Sequence, residues 1–266
     1  MPQGSVPGRY PMEIAMDYFD SIEANFIAPA REPFEREVQA GGRIGRRLRR
    51  ILGDSALRTD RHEEKIEKVL EELENKTEFD RQQARRLAKD KVQQTRTFAI
   101  NQTDRQVAAI AGVRPHLRHP RVEEAMQAAL EENVRLITTI ETRYHDEVER
   151  VIRQGIVEGR GIGEIENGVY SAGRKATNNA RLIARDQVGN VFGRVQKERQ
   201  QQLGIEEFVW RTVGDNRVRD EHEQRDGNRY KWEDPPAGEF PGDPIQCRCW
   251  AEPAREQVLA NWGEAA

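Results

Sequence analysis

Over about 30 residues after Pro120, apolar side chains return at the three- and four-residue spacing of a helix: Val122, Met126, Ala129, Leu136, Ile137, Ile140, Tyr144, Val148, Val151 and Ile152. This stripe constrains the chain more than any other local feature, because only one long helix, of roughly eight turns, brings all of these residues to one face. A stripe of that length belongs to a bundle core or a helix-helix seam. The composition agrees with extended helices. Charged residues make up 33% of the 266 positions against 36% hydrophobic and 6% aromatic, so the surfaces either face water or are covered in an assembly. The 43 Lys and Arg against 46 Asp and Glu leave a net charge of -3, which argues against a globally basic nucleic-acid coat. No apolar run approaches the roughly 20 residues that span a bilayer, and the first residues lack the apolar region of a signal peptide, so a soluble protein made in the cytoplasm is expected.

The rest of the chain is read around that helix. Residues 1–11, with three prolines and two glycines, read as an extended arm. From Met12 to Gln39 helical spacing recurs through Ile14, Phe19, Ile22 and Phe26, with a break expected at Pro29 and Pro33. A short helix is predicted over 62–75 on Ile66, Val69, Leu70 and Leu73, and another segment starts near Thr77 and Asp80 and runs to Gly112, ambiguous over Thr95 to Asn101. The glycines Gly155, Gly159, Gly161, Gly163 and Gly168 mark a hinge or boundary. Beyond it Thr177 is placed as the cap of a helix carrying Ala180, Ala184, Val188, Val191 and Val195. The fold class is therefore α+β: a helical region over 12–160 with long helices, then a small α+β domain with short antiparallel strands over 161–266. His145 reads as an exposed helix residue.

Two stretches are locally basic. Arg43, Arg46, Arg47, Arg49 and Arg50 follow one another with no acid among them, and the helix after Thr177 carries Arg181 and Arg185 among seven Lys/Arg between 174 and 199. Arginine pairs bidentately with phosphate, which makes these the candidate contacts to DNA. A solvated helix face, neutralised in part by Glu32, Glu35 and Glu37, produces the same pattern.

The densest chemistry lies near the C-terminus. Glu207-Phe-Val-Trp-Arg-Thr212 is rich in β-branched and aromatic residues and reads as a strand, turned by Gly214-Asp215-Asn216. Asp226-Gly227 marks a second turn before a short strand with Tyr230 and Trp232, and a loop of four prolines and two glycines between Pro235 and Pro244 leads to Cys247-Arg248-Cys249. Two cysteines two residues apart make a poor disulfide framework. Reduced thiols packed as small apolar groups are one reading; zinc ligands, with His222 as the third and Asp226 as an option for the fourth, are the other. His222 also lies among Asp220, Glu221, Glu223 and Asp226, a set suited to a divalent metal in phosphodiester hydrolysis. Gly-rich phosphate loops, HExxH and Gly-x-Ser-x-Gly are all missing from the sequence.

Taken in order, Arg181-Leu-Ile-Ala-Arg185-Asp186-Gln187, Trp210-Arg-Thr212-Val-Gly-Asp215-Asn-Arg217-Val218-Arg219-Asp-Glu-His222, Asp226-Gly227, Pro235-Pro236 and Cys247-Arg248-Cys249 resemble the phage head morphogenesis domain, the phage Mu protein F-like family of minor head proteins. The resemblance covers about 175–252. It implies structural roles for Trp210, Asp215, Arg217, Arg219, His222, Asp226, Gly227, Cys247, Arg248 and Cys249. Relatives with cysteine at the positions of Arg219 and His222 resemble full zinc sites, whereas this chain has the Arg-x-x-His version; a structural zinc would rest here on His222, Cys247 and Cys249. Asp186-Gln187 also departs from the family's usual Thr-Glu. The function implied is that of a minor head protein of a tailed bacteriophage, not an enzyme, assembled in the host cytoplasm and carried in the virion at the head interior or portal vertex. Its implied partners are the portal protein, the major capsid protein, scaffolding protein and packaged double-stranded DNA. The alternative is a metal-dependent nuclease or other phage-encoded enzyme centred on His222.

Overall fold

The computed structural model describes residues 8–39, 42–53, 67–68, 70–71, 81–116 and 120–263. Most of the helix expected over 62–75, most of the proline-bearing arm, and Thr77 and Asp80 lie outside these residues.

The chain opens with α1 (Met12–Ile22), a π turn (Glu23–Ile27) and α2 (Ala28–Val38). The break expected at Pro29 and Pro33 is absent, and α2 runs through both. The Ala28 N–H reaches back five residues to the Glu23 carbonyl, and this widened turn leaves Pro29 in the first turn of α2, where a missing N–H costs least. In α3 (Arg43–Gly53) Ile44 and Leu48 are buried while Arg43, Arg46, Arg49 and Arg50 are exposed. Three long helices follow: α4 (Arg81–Ala111), α5 (Pro120–Val157) and α6 (Ile162–Gln202). The ambiguous stretch Thr95 to Asn101 is helical. Thr95 is buried and its hydroxyl donates to the Lys91 carbonyl one turn back at 2.8 Å, so a residue of low helix propensity is satisfied within the helix.

The described residues divide into two compact units. Those up to Tyr18, those of Arg85–Asn133 and those from Leu182 onward make the first; those of Phe19–Ala84 and Val134–Arg181 make the second. In the second, the stripe on α5 is buried at Val134, Ile137, Ile140, Tyr144, Val148, Val151 and Ile152, and Leu136 is half-buried at its margin. Gly155 and Gly168 are packing positions here. A Cβ on Gly168 would lie 2.5 Å from Val151 Cγ1, and one on Gly155 would lie 2.6 Å from Ile165 Cγ1, so glycine is what lets α5 and α6 close on each other. Thr177 is not a cap but lies interior to α6, fifteen residues after its first residue Ile162. Its hydroxyl accepts from Arg31 at 3.1 Å. His145, read as exposed, is half-buried, with Nε2 4.0 Å from Glu141.

In the first unit the core joins Val92, Ala99 and Ile100 of α4 to Val122, Met126 and Ala129 of α5 and to Val191, Phe192 and Val195 of α6. Two polar links are buried with it. Tyr18 Oη donates to Asn133 Oδ1 at 2.8 Å, Asn133 Nδ2 donates to Gln187 Oε1 at 3.0 Å, and Arg199 Nε meets Asp104 Oδ1 at 2.7 Å. After α6 come β1 (Glu207–Arg211), α7 (Asp220–Arg225), β2 (Arg229–Lys231), a 3-10 turn (Pro236–Gly238), β3 (Trp250–Pro253) and α8 (Arg255–Trp262). The three strands form an antiparallel sheet in the order β2-β1-β3, with Phe208 opposite Tyr230 on one side and Trp210 opposite Ala251 on the other. β3 and α8 were not expected from the sequence. Trp-Ala-Glu-Pro is a weak strand sequence, and it holds as an edge strand, where a proline leaves no central ladder bond missing. The α+β reading with small antiparallel strands thus stands.

Candidate metal centre

α7 is six residues long and His222 is its buried member, 2% exposed, while Asp220, Glu221 and Glu223 face outward. The His222 ring packs edge-on to Trp210 with centroids 5.1 Å apart. Its Nδ1 lies 3.5 Å from Cys249 Sγ and 3.7 Å from Cys247 Sγ. Both thiols are free and buried, at 4% and 2% exposure. They stand two residues apart just before β3, with Arg248 between them, and both meet the same imidazole nitrogen. The Gly242 N–H donates to Cys247 Sγ at 3.4 Å. The Cys249 thiol, donating to Cys247, holds Cys247 down toward the thiolate, and Cys247 in turn pushes Cys249 up.

Arg248 explains why Asp215 belongs to the same constellation. Its two terminal nitrogens each donate to one oxygen of the Asp215 carboxylate, a fork spanning 33 residues of chain, and the Arg217 N–H donates to Asp215 Oδ1 at 3.1 Å. Arg248 is the main reason the Asp215 carboxyl is held well below the usual carboxylate range. The clamp ties the turn after β1 to the cysteine segment. Asp226 does not join the thiols as a fourth ligand: its Oδ1 accepts the Thr212 N–H at 2.8 Å, which closes the turn in which the Gly227 N–H donates to the Trp210 carbonyl. Trp210 itself is fully buried in a cluster with Phe208, Trp232, both cysteines and Ala251. The cysteines are thus core members that also converge on an imidazole.

α6 forms the floor of this arrangement, in part through two glycines the sequence reading passed over. A Cβ on Gly193 would fall 2.2 Å from the Pro241 carbonyl oxygen, and one on Gly189 would fall 3.2 Å from that of Cys247, so the pair Gly189-x-x-x-Gly193 admits the proline-rich loop directly onto the helix backbone. A four-residue glycine repeat inside an apolar-striped helix was the available signal. Asp186 Oδ1 accepts the Gln246 N–H at 2.9 Å, and burial pushes the Asp186 carboxyl up. Tyr10, from the start of the chain, is buried and donates to the Arg185 carbonyl.

The basic residues fall in different surroundings. Arg185 and three further arginines, Arg217, Arg219 and Arg248, line a cavity of about 330 Å³ beside the thiols. Arg181 stacks on Phe19 at 4.7 Å, and Arg43 lies 4.0 Å from Glu37. Arg46, Arg47, Arg49 and Arg50 belong to α3. The His222–carboxylate cluster imagined for hydrolysis does not form: among the described residues, the His, Cys, Asp and Glu side chains close enough to share an ion are His222, Cys247 and Cys249, whose ligand atoms lie within 4.8 Å of one another.

These three donors fit a tetrahedral zinc. Zn–S and Zn–N bonds of about 2.3 and 2.0–2.1 Å at tetrahedral angles set sulfur and nitrogen about 3.6 Å apart, and the two measured separations bracket that value. The class of protein so defined is a long-helix protein closed by a three-stranded module with a Cys/His clasp. Residues 146–252 match the phage Mu protein F like family, a region that starts well upstream of residue 175, inside α5. An uncharacterized protein of Haemophilus influenzae is 30% identical over 146 residues, which is 53% of this chain and 33% of that protein. The chain thus spans about a third of the length of that relative. No solved structure matches. No helix among the described residues is long and apolar enough to cross a membrane.

Proposed function

We propose that the protein is a minor head protein of a tailed bacteriophage, acting in head morphogenesis at the portal vertex and carried in the virion. The observation that carries this reading is that motif residues far apart in sequence pair with one another, Asp215 with Arg248, Asp226 with Thr212, and His222 with both cysteines, inside the region that matches the phage family. An assembly role suits such a module, since its motif residues hold the loop, helix and sheet together. In this reading the helical part docks on the portal or capsid protein. The arginine-bearing face of α3, backed by buried Ile44 and Leu48, supplies contacts to packaged DNA. The Cys/His clasp carries a zinc ion on His222, Cys247 and Cys249.

The docking is tested by co-expressing the chain with the portal protein of the same phage and passing the mixture over a sizing column at low salt. Co-elution is the expected result; separate elution refutes portal docking, and a parallel run with the major capsid protein tests the other partner. DNA contact is tested by duplex binding at rising salt. The expected slope is lost when Arg46, Arg47, Arg49 and Arg50 are replaced by Gln, and salt-independent binding refutes a phosphate contact.

A further inference from the structure

The clasp offers three ligands, and the space beside it is not neutral. All three ligand residues line the cavity of about 330 Å³, and the other charged side chains on its wall are Arg185, Arg217, Arg219 and Arg248, with no carboxylate among its lining residues. Asp215, behind the wall, accepts from Arg248 and Arg217. The remaining two guanidinium groups are held by neutral oxygens: Arg219 Nη2 donates to the Ile245 carbonyl at 2.6 Å, and Arg185 Nη1 donates to Gln246 Oε1 at 3.4 Å. A divalent ion on two thiolates and one imidazole is itself neutral, so loading the clasp adds no negative charge to the lining of the cavity. A three-ligand tetrahedral metal also has one open position. No fourth His, Cys, Asp or Glu among the described residues reaches it.

We infer that a divalent metal on His222, Cys247 and Cys249 opens its fourth coordination position into the arginine-lined cavity, and that this position takes a phosphate oxyanion. The inference rests on the metal reading above and is independent of docking to the head. Phosphate fits better than carboxylate. It spends one oxygen on the metal and still presents several acceptors and a second negative charge to the guanidinium groups, whereas a carboxylate has one oxygen left and no charge to spare. Free phosphate and the terminal phosphate of a nucleic acid share this chemistry.

The test uses the full chain. Elemental analysis of the purified protein is expected to give one zinc per chain, lost in His222→Ala and in Cys247→Ser; a metal-free wild type that also fails to take up Co2+ overturns the inference at its base. With Co2+ in place of zinc, the visible ligand-field bands report the coordination sphere. Titration with inorganic phosphate is expected to shift them saturably, and in the Arg185→Gln/Arg219→Gln double variant the half-saturating phosphate should rise about tenfold with Co2+ still bound. Retained Co2+ binding in that variant shows that the clasp has folded. Bands that ignore phosphate overturn the open position while leaving the metal reading intact. A phosphate response unchanged in the double variant overturns the role of the arginines. A 5′-phosphorylated oligonucleotide run beside its unphosphorylated twin separates the sources: a response to the former alone assigns a nucleic-acid end, and a response to inorganic phosphate alone assigns the free ion.

Discussion

At the scale of single residues, the Asp215–Arg248 fork ties the turn after β1 to the cysteine segment. It joins a turn to a loop, and arginine is needed there because both carboxylate oxygens are engaged at once. Arg248→Lys keeps the charge and loses the fork. It is expected to lower the thermal midpoint by a few degrees, with Asp215→Asn doing the same and the double variant falling no further than either single one. Midpoints that add across the pair would show that the two residues act separately. The grouping of His222 with the cysteines was partly legible in the sequence, because a histidine and two thiols in a compact segment are an unusual set. That the imidazole turns inward from a six-residue polar helix was not legible, since no periodic stripe marks it; packing against Trp210 places it.

At the scale of elements, the glycines divide by what surrounds them. Gly193 lies where a Cβ would strike a backbone oxygen, so Gly193→Ala is expected to destabilise the protein by about 1–3 kcal/mol through displacement of the loop. Gly163 sits in the first turn of α6 with nothing within 4 Å of an added Cβ, so Gly163→Ala is expected to stabilise by about 0.5 kcal/mol through the unfolded chain. Denaturant midpoints at constant slope measure both, and equal effects of the same sign would defeat the distinction. Sequence reading grouped the glycines from 155 to 168 as one hinge. The structure separates a turn at Gly159, with φ of 69°, from the close approaches at Gly155 and Gly168. The helices themselves were well marked, as in the α5 stripe, because a 3.6-residue period is written into neighbouring positions.

At the scale of the whole molecule, two consequences follow from how the units are built. The core around Val191, Phe192 and Val195 draws on Val92, Ile100, Val122 and Met126, and the one around Leu203, Ile205 and Val258 draws on Val107 and Ala111. A fragment of residues 161–266 is therefore expected to keep helical circular dichroism but lose a cooperative thermal transition, and a sharp transition in that fragment would contradict this. In the second unit, burial holds the Glu141 carboxyl up at about 7, against an ordinary value of 4.5, with His145 Nε2 4.0 Å away. Between those two values the folded chain keeps a proton that the unfolded chain has lost, so this group's contribution to stability falls as pH rises from about 4.5 to 7 and is flat above. Glu141→Gln is expected to match wild type at pH near 4.5 and to exceed it at pH near 8 by about 1–2 kcal/mol, after allowance for partial solvent screening. Urea midpoints at the two pH values check it; a variant less stable than wild type at the higher value would reverse the sign.

The sequence by itself determined the α+β class, the long helices, strand β1 and the ordered motif from Trp210 to Cys249, because periodicity, β-branched runs and turn residues act over a few neighbouring positions. It also marked the kind of protein this region resembles. Only the tertiary structure decided that Pro29 sits behind a π turn, that Trp250–Pro253 is a strand, that Asp226 serves a turn and is turned away from the thiols, and that Asp215 grips Arg248. Each of these depends on groups brought together from distant positions or on strain relieved by a neighbour. Residue spacing carries no record of such partners until the backbone has chosen its path.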